Sequence, residues 1–315
     1  MPGLLGGLFV KKAKGGSLPW LVHDPNLPID ECQPAATAEE FDLCIESGRA
    51  ERHYWRDLWR YRELFLILAW RDVAIRYKQT VAGAAWAVLQ PLLTLVVMTL
   101  IFGKFAGLHS PGKEPDSIVV CAGMLPWFFF SSGLSSASQS LVTNANLISK
   151  VYFPRLIIPA SSLVVSFIDF LVSGLILAGL MVWHQYWPTW RFLALPPLML
   201  LAVVASLGPS LIITALIVRF RDFRFLIPFI VQFGMLLSPV GYPTQVVRDH
   251  FGEGGVMIYS LNPMVGVIDG FRWAILGHGE VYWPGFLISL ALAGLLLARG
   301  VLYFRRTERV FADII

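Results

Sequence analysis

The chain has 315 residues, 56% of them hydrophobic and 15% charged, with 25 Lys/Arg against 21 Asp/Glu. A water-soluble domain is nearer about 45–50% apolar and roughly 25% charged, so this composition excludes an ordinary soluble fold and points to an all-α protein with several membrane spans. The net charge of +4 is dispersed at the ends of apolar runs and forms no basic face, so no nucleic-acid partner is expected.

Residues 1–52 hold Pro19, Pro25, Pro28 and Pro34 among acidic residues. They read as an irregular cytoplasmic tail with a short helix over Thr37–Glu51. The apolar run Leu4–Val10 lacks the continuation that a signal peptide needs. Cys32, Cys44 and Cys121 form no CxxC pair and are expected to be unpaired thiols.

Residues 53–80 predict an amphipathic interface helix. Its apolar middle, Leu64–Trp70, is far short of the about 20 residues a span requires. Arg60, Arg62 and Glu63 precede it, and Arg71, Asp72, Arg76 and Lys78 follow. Such a segment lies on a membrane surface. Arg60, Arg62, Arg71, Arg76 and Lys78 are candidates to contact the anionic headgroups there.

Residues 81–315 then predict six spans: Ala84–Leu108, Ile118–Leu141, Ile157–Trp183, Phe192–Val218, the short Phe225–Val240, and Pro284–Phe304. Loop charges orient them. With a cytoplasmic amino terminus, Lys150, Arg155, Arg219, Arg221, Arg224, Arg305, Arg306 and Arg309 fall inside, together with every Lys and Arg of the tail. Lys104, Lys113, Arg191, Arg248 and Arg272 fall outside. The positive-inside rule therefore puts both termini in the cytoplasm.

Several stretches are candidates for function. The inner loop 144–156, NANLISKVYFPRL, predicts a short helix capped by Asn144 or Asn146. It presents Leu147, Ile148, Lys150, Val151, Tyr152, Phe153 and Arg155 to a partner, or to lipid headgroups. Asp169 is a lone carboxylate inside the third span, with Ser162, Ser166 and Ser173 at helical spacing; it reads as a polar lock between helices or as part of a substrate path. In the second span, Trp127, Phe128 and Phe129 precede the serine-rich run containing Ser131 and Ser135; these residues suit either close packing or a polar, aromatic channel wall. Trp183, Tyr186, Trp187 and Trp190 read as an interfacial aromatic belt. Residues 241–276 predict a re-entrant helix pair, with Asn262 capping a helix that has Pro263 at its first position. Tyr242, Pro243, Asn262, Pro263, Asp269 and Arg272 are its candidate gate residues. There is no GxxxxGK[ST] phosphate loop, HExxH pair or GxSxG elbow, so no catalytic residue, metal site or bound cofactor is expected.

Three stretches carry a family resemblance: WRDVAIRYKQTVAGAAWAVLQPLL (70–93), YFPRLIIP (152–159) and NPMVGVIDGFRWAIL (262–276). Together they resemble the permease subunit of type 2 ABC exporters, in the branch that exports lipid-linked O-antigen, capsule and teichoic acid polymers. The likeness runs from about Leu58 to the end. It implies a homodimeric permease in a bacterial inner membrane, served by two separate ATP-binding subunits that hold ATP and Mg. It also implies that residues 53–79 form the interface helix, residues 144–155 the coupling helix docking on the ATPase, and residues 241–276 the periplasmic re-entrant pair. The expected cargo is lipid-linked polysaccharide, foremost O-antigen on undecaprenyl diphosphate for lipopolysaccharide biosynthesis; on this resemblance Arg60, Arg62, Arg71, Arg76 and Lys78 contact either the carrier's diphosphate or ordinary anionic lipid. A drug or small-lipid exporter and, more remotely, a membrane-embedded acyl- or glycosyl-transferase are the rival readings.

Overall fold

A computed structural model describes residues 54–78, 81–105, 115–277, 281–308 and 311, with the side chains of 78, 81–84, 87, 104 and 105 left out. The expected tail 1–52 with its helix, the outer loop around Lys113, and Arg309 lie outside the described residues. Among the described residues every regular element is helical. This is the form that satisfies backbone N–H and C=O groups without water.

The chain divides after Trp59 into two units. The described part of the first is most of α1 (Tyr54–Arg60), where Tyr54 meets Trp55 edge-on, with ring centroids 6.0 Å apart. The expected single helix over 53–80 is thus two, because Tyr61 sits in a turn.

The second unit begins with α2 (Arg62–Lys78) and α3 (Val81–Met98), which ends in a π-helical turn, Thr99–Phe105. Next come α4 (Asp116–Thr143), the one-turn α5 (Ala145–Ile148) and α6 (Ile157–Trp183). After a 3-10 turn, α7 (Leu195–Arg219) follows, then α8 (Leu226–Leu236), α9 (Thr244–Tyr259), α10 (Pro263–Leu276) and α11 (Trp283–Glu308).

Four of the six expected spans appear as helices long and apolar enough to cross a bilayer: α4, α6, the stretch Trp190–Arg219 containing α7, and α11. The first expected span is a shorter apolar helix, Val88–Gly103, within α3 and its π turn. The fifth is cut to the 11 residues of α8. Pro239 restricts the backbone of Ser238, so the apolar run to Val240 cannot continue as helix.

The core lies between α4, α7, α10 and α11. α4 is buried nearly all round, and Ile118, Met124, Phe129, Leu134 and Leu141 are among the largest fully buried side chains. α7 and α11 meet backbone to backbone. A Cβ on Gly300 would lie 2.4 Å from the carbonyl oxygen of Gly208, and one on Gly208 would lie 2.7 Å from the Leu296 carbonyl carbon. Small residues at such crossings let membrane helices pack at van der Waals distance. Cys121, the one cysteine among the described residues, is buried and unpaired.

Candidate functional site

At one end of the bundle the chain leaves α4 through the loop 144–156. The expected helix over this loop shrinks to the single turn of α5; beyond Ser149 the backbone is irregular as far as Leu156. Pro154 removes a helical N–H donor. Ile148 and Phe153 turn inward and are buried, which pins both ends of the loop tip. Lys150, Val151 and Tyr152 remain exposed, Tyr152 at 60%. Leu147 and Arg155 are partly covered. The seven candidate docking residues therefore split into an outward tip of three and a set that seats it.

Asn144 stands at the cap position of α5, but its side chain makes no capping bond. Its amide oxygen accepts instead from the Arg71 guanidinium at 2.6 Å, and its Nδ2 donates to the Ser140 carbonyl at 2.9 Å. A charged donor outcompetes a neutral backbone N–H for that oxygen. Arg71 also bonds Asp72 at 2.7 Å. The first residue of the loop is thereby tied to α2.

Five residues further along α2, Arg76 pairs with Asp169 of α6 at 2.7 Å. The Tyr77 hydroxyl donates to the other carboxylate oxygen at 2.5 Å. Ser132 of α4 donates to Asp169 at 3.3 Å and in turn accepts from Ser166 at 3.0 Å. Ser173 Oγ reaches the Asp169 backbone carbonyl at 3.0 Å. An unpaired carboxylate in a membrane helix is costly; here one cation and two hydroxyls satisfy it. Burial first, and the Asp169 bond second, push the Tyr77 hydroxyl above its ordinary range, so Tyr77 stays a donor. These contacts form a polar lock at Asp169 that joins α2, α4 and α6. Two of its members, Tyr77 and Ser132, were not singled out from sequence. Tyr77 follows directly on Arg76 and Ser132 lies in the serine-rich run, but neither position discloses a tertiary partner.

α2 buries Leu68 and Ala69 but does not sort its remaining residues into one apolar and one polar face. Arg71, Arg76 and Tyr77 reach toward the bundle, while Leu66, Ile67, Trp70 and Ile75 are exposed. Arg71 and Arg76, expected at lipid or at a diphosphate, bond within the chain, and Arg76 is exposed as Arg60 and Arg62 are. The side chain of Lys78 is outside the described set.

The loop is held from a third direction. The Arg155 backbone N–H donates to the Glu308 carboxylate at 2.7 Å, and its guanidinium donates to the Glu308 carbonyl oxygen. Phe304 and Phe311 close over one another edge-to-face at 5.3 Å, both fully buried. The end of α11 is thus clipped to the loop, a tie that sequence reasoning missed because Glu308 carries no motif.

The opposite end holds the expected gate residues in a packed knot. Asn262 Oδ1 accepts from the Met264 N–H at 3.0 Å, with Pro263 opening α10 as expected. Pro243 caps α9, which Gly252 divides by adopting φ +66°. Arg272, 6% exposed, donates to the carbonyls of Tyr242 and Val240 at 2.7 Å each and to Val119 at 3.4 Å. Asp269 accepts from Thr244 Oγ1 at 2.7 Å. The Tyr242 and Tyr259 hydroxyls lie 2.9 Å apart. α10 itself is buried along most of its length.

The channel candidates divide too. Trp127 and Phe129 are core residues, Trp127 packing on Phe130 at 5.2 Å and Phe129 on Phe170 at 6.2 Å. Phe128, Ser131 and Ser135 keep partial exposure. In the aromatic cluster, Trp183, Trp187 and Trp190 are exposed, whereas Tyr186 donates to the Leu276 carbonyl. Among the described residues no group of His, Cys, Asp and Glu is arranged to hold a metal.

The sequence profile of the ABC-2 type transporter membrane family matches residues 63–276, from the start of α2 to the end of α10. The chain belongs to that family. Its curated relatives are permeases. An O-antigen export system permease protein RfbA from Myxococcus xanthus is 25% identical over 260 residues, covering 82% of this chain and 98% of that protein. An RfbA from Klebsiella pneumoniae is 24% identical, covering 80% and 95%. The polysialic acid transport protein KpsM of Escherichia coli is 25% identical, covering 73% and 90%. This ABC-2 protein is therefore a multi-pass membrane permease subunit related to O-antigen and polysaccharide export permeases. The matched region contains α2, the loop 144–156 and the Asp169 contacts together.

Proposed function

We propose that this permease exports a lipid-linked polysaccharide, foremost O-antigen on undecaprenyl diphosphate, across a bacterial inner membrane as a homodimer. Two copies of a separate ATPase, holding ATP and Mg, drive it. The observation that carries the reading is the loop 144–156: an exposed tip of Lys150, Val151 and Tyr152, seated by buried Ile148 and Phe153 and tied behind by Arg71 and Glu308. A loop that only touched headgroups would need no such fixing; a loop that transmits force does.

In this reading residues 1–52 form a cytoplasmic tail, and α1 and α2 form the interface element. Residues 81–315 form a six-span domain with both termini cytoplasmic, α3 and α8 completing the spans. The ATPase binds the loop tip. Its movement passes to α2 through Arg71–Asn144, and from α2 to α6 and α4 through Asp169. Arg60 and Arg62, with Lys78, meet the carrier's diphosphate or the surrounding headgroups. Phe128, Ser131 and Ser135 supply wall to a path shared between protomers. α9 and α10, with Tyr242, Pro243, Asn262, Pro263, Asp269 and Arg272, form the re-entrant periplasmic closure.

The test is genetic. Deleting the gene should abolish surface polysaccharide and trap carrier-linked polymer inside, and the wild-type gene should restore export. Unchanged surface polymer with altered drug or lipid efflux would transfer the protein to the rival cargo class.

A further inference from the structure

The segment from Arg219 to Phe225 reads RFRDFRF and plays no part in the docking loop, the lock or the knot. Arg219 ends α7, Arg221–Phe225 form a 3-10 turn, and α8 begins at Leu226. A 3-10 helix has three residues per turn, so side chains three apart eclipse. Arg221 and Arg224 therefore share one stripe. The same spacing relates Phe220 and Phe223, whose ring centroids are 6.0 Å apart.

The guanidinium of Arg219 lies over the Phe220 ring at 5.3 Å, and that of Arg224 over Phe225 at 5.1 Å. Stacking fixes each cation by its face and leaves its N–H edge for a ligand. All three arginines are exposed, and none has an ion pair or side-chain hydrogen bond to another described residue, Asp222 included. Phe220, Phe225 and Phe229 are exposed as well. Their surface continues along the exposed apolar face of α8 through Phe233, which stacks on Phe229 at 6.4 Å. Three phosphate-matching forks thus stand at the end of a membrane-length helix, with aromatic surface running away from them along an apolar one. A protein partner with carboxylates would match the arginines but not the exposed phenylalanines that lead onto an apolar helix. A lipid with an anionic head matches both.

We infer that Arg219, Arg221 and Arg224 form a headgroup site for an anionic phospholipid, with its glycerol–acyl junction against Phe220 and Phe225. The site is independent of the exported cargo.

Purified permease in detergent is titrated with phosphatidylglycerol, phosphatidylcholine or inorganic diphosphate, and binding is read from thermal stabilisation. Phosphatidylglycerol should stabilise the wild type most. The R219Q/R221Q/R224Q variant should lose affinity for it on the order of 100-fold at low salt, at about fivefold per arginine. Its response to phosphatidylcholine should not change. Should the triple variant misfold, R221Q alone, whose arginine stacks on no ring, should still retain fewer phosphatidylglycerol molecules in native mass spectrometry. Undiminished phosphatidylglycerol binding in both variants would overturn the site. So would diphosphate stabilising as well as the lipid, or a loss confined to binding of the partner ATPase.

Discussion

Arg76 on α2 lies 2.7 Å from the Asp169 carboxylate on α6. The pair joins a helix too charged to cross a bilayer to one that is long and apolar enough to do so. Tyr77 and Ser132 complete the coordination, so the carboxylate is satisfied from α2 and α4 together. The Arg76 side chain is 45% exposed, so the pair's coupling should reach about 1–2 kcal/mol, below the about 3–5 kcal/mol of breaking a fully buried pair. R76A and D169A should each lower thermal stability, and the double variant should lose less than the sum. Strict additivity would show that the two side chains do not interact.

Arg71 bonds Asn144 at the start of the loop 144–156 rather than α6. Reversing its charge in R71E places a carboxylate against the Asn144 amide oxygen and beside Asp72. Export should fall several-fold more than membrane insertion, measured as surface polymer per inserted permease. An equal loss of both would reduce α2 to a membrane anchor.

The exposed tip makes a sharper prediction about partner binding. Truncating a central aromatic at an interface costs about 2 kcal/mol or more, close to 30-fold in affinity. Y152A should weaken capture of the ATPase subunit by about that factor, and K150E less, as a rim charge. I148A should act differently: a buried residue, it should lower thermal stability as well. Pull-down titrations beside melting curves separate the two outcomes.

Local chemistry made part of this legible in the sequence. Asn262 and Pro263 announced the start of α10 because cap and first-turn preferences act within a few residues. Asp169 stood out because a carboxylate in an apolar run demands an explanation. Its partners did not stand out: Tyr77 lies 92 positions away, and only the packing of α2 on α6 brings them together. The loop 144–156 read as one helix because its apolar residues fit helical spacing, whereas burial of Phe153 and the backbone at Pro154 bend it away. The roles of Trp127 and Phe129 were unreadable for another reason. A helix buried on nearly every side, as α4 is, carries no clear face in its sequence to tell core from channel.

The α7–α11 crossing supplies its own control. A methyl group on Gly300 would meet backbone of Gly208 at 2.4 Å, while one on Gly294, on the same helix, would meet nothing within 4 Å. G300A should therefore depress the melting temperature by an amount equivalent to about 1–3 kcal/mol, the usual cost of overpacking. G294A should leave it unchanged or slightly raised, because alanine favours helix. Equal effects would mean that the crossing is looser than its geometry.

Under the proposed function, this permease moves a lipid-linked polymer only when an ATPase works on the loop 144–156. The direct measurement uses proteoliposomes containing the permease and carrier-linked polysaccharide, with and without the partner ATPase and with ATP or none. Polymer should become accessible to an impermeant lectin across the bilayer only with ATPase and ATP both present, and Y152A should abolish most of that signal. Translocation at the same rate without ATPase or nucleotide would contradict ATP-driven export.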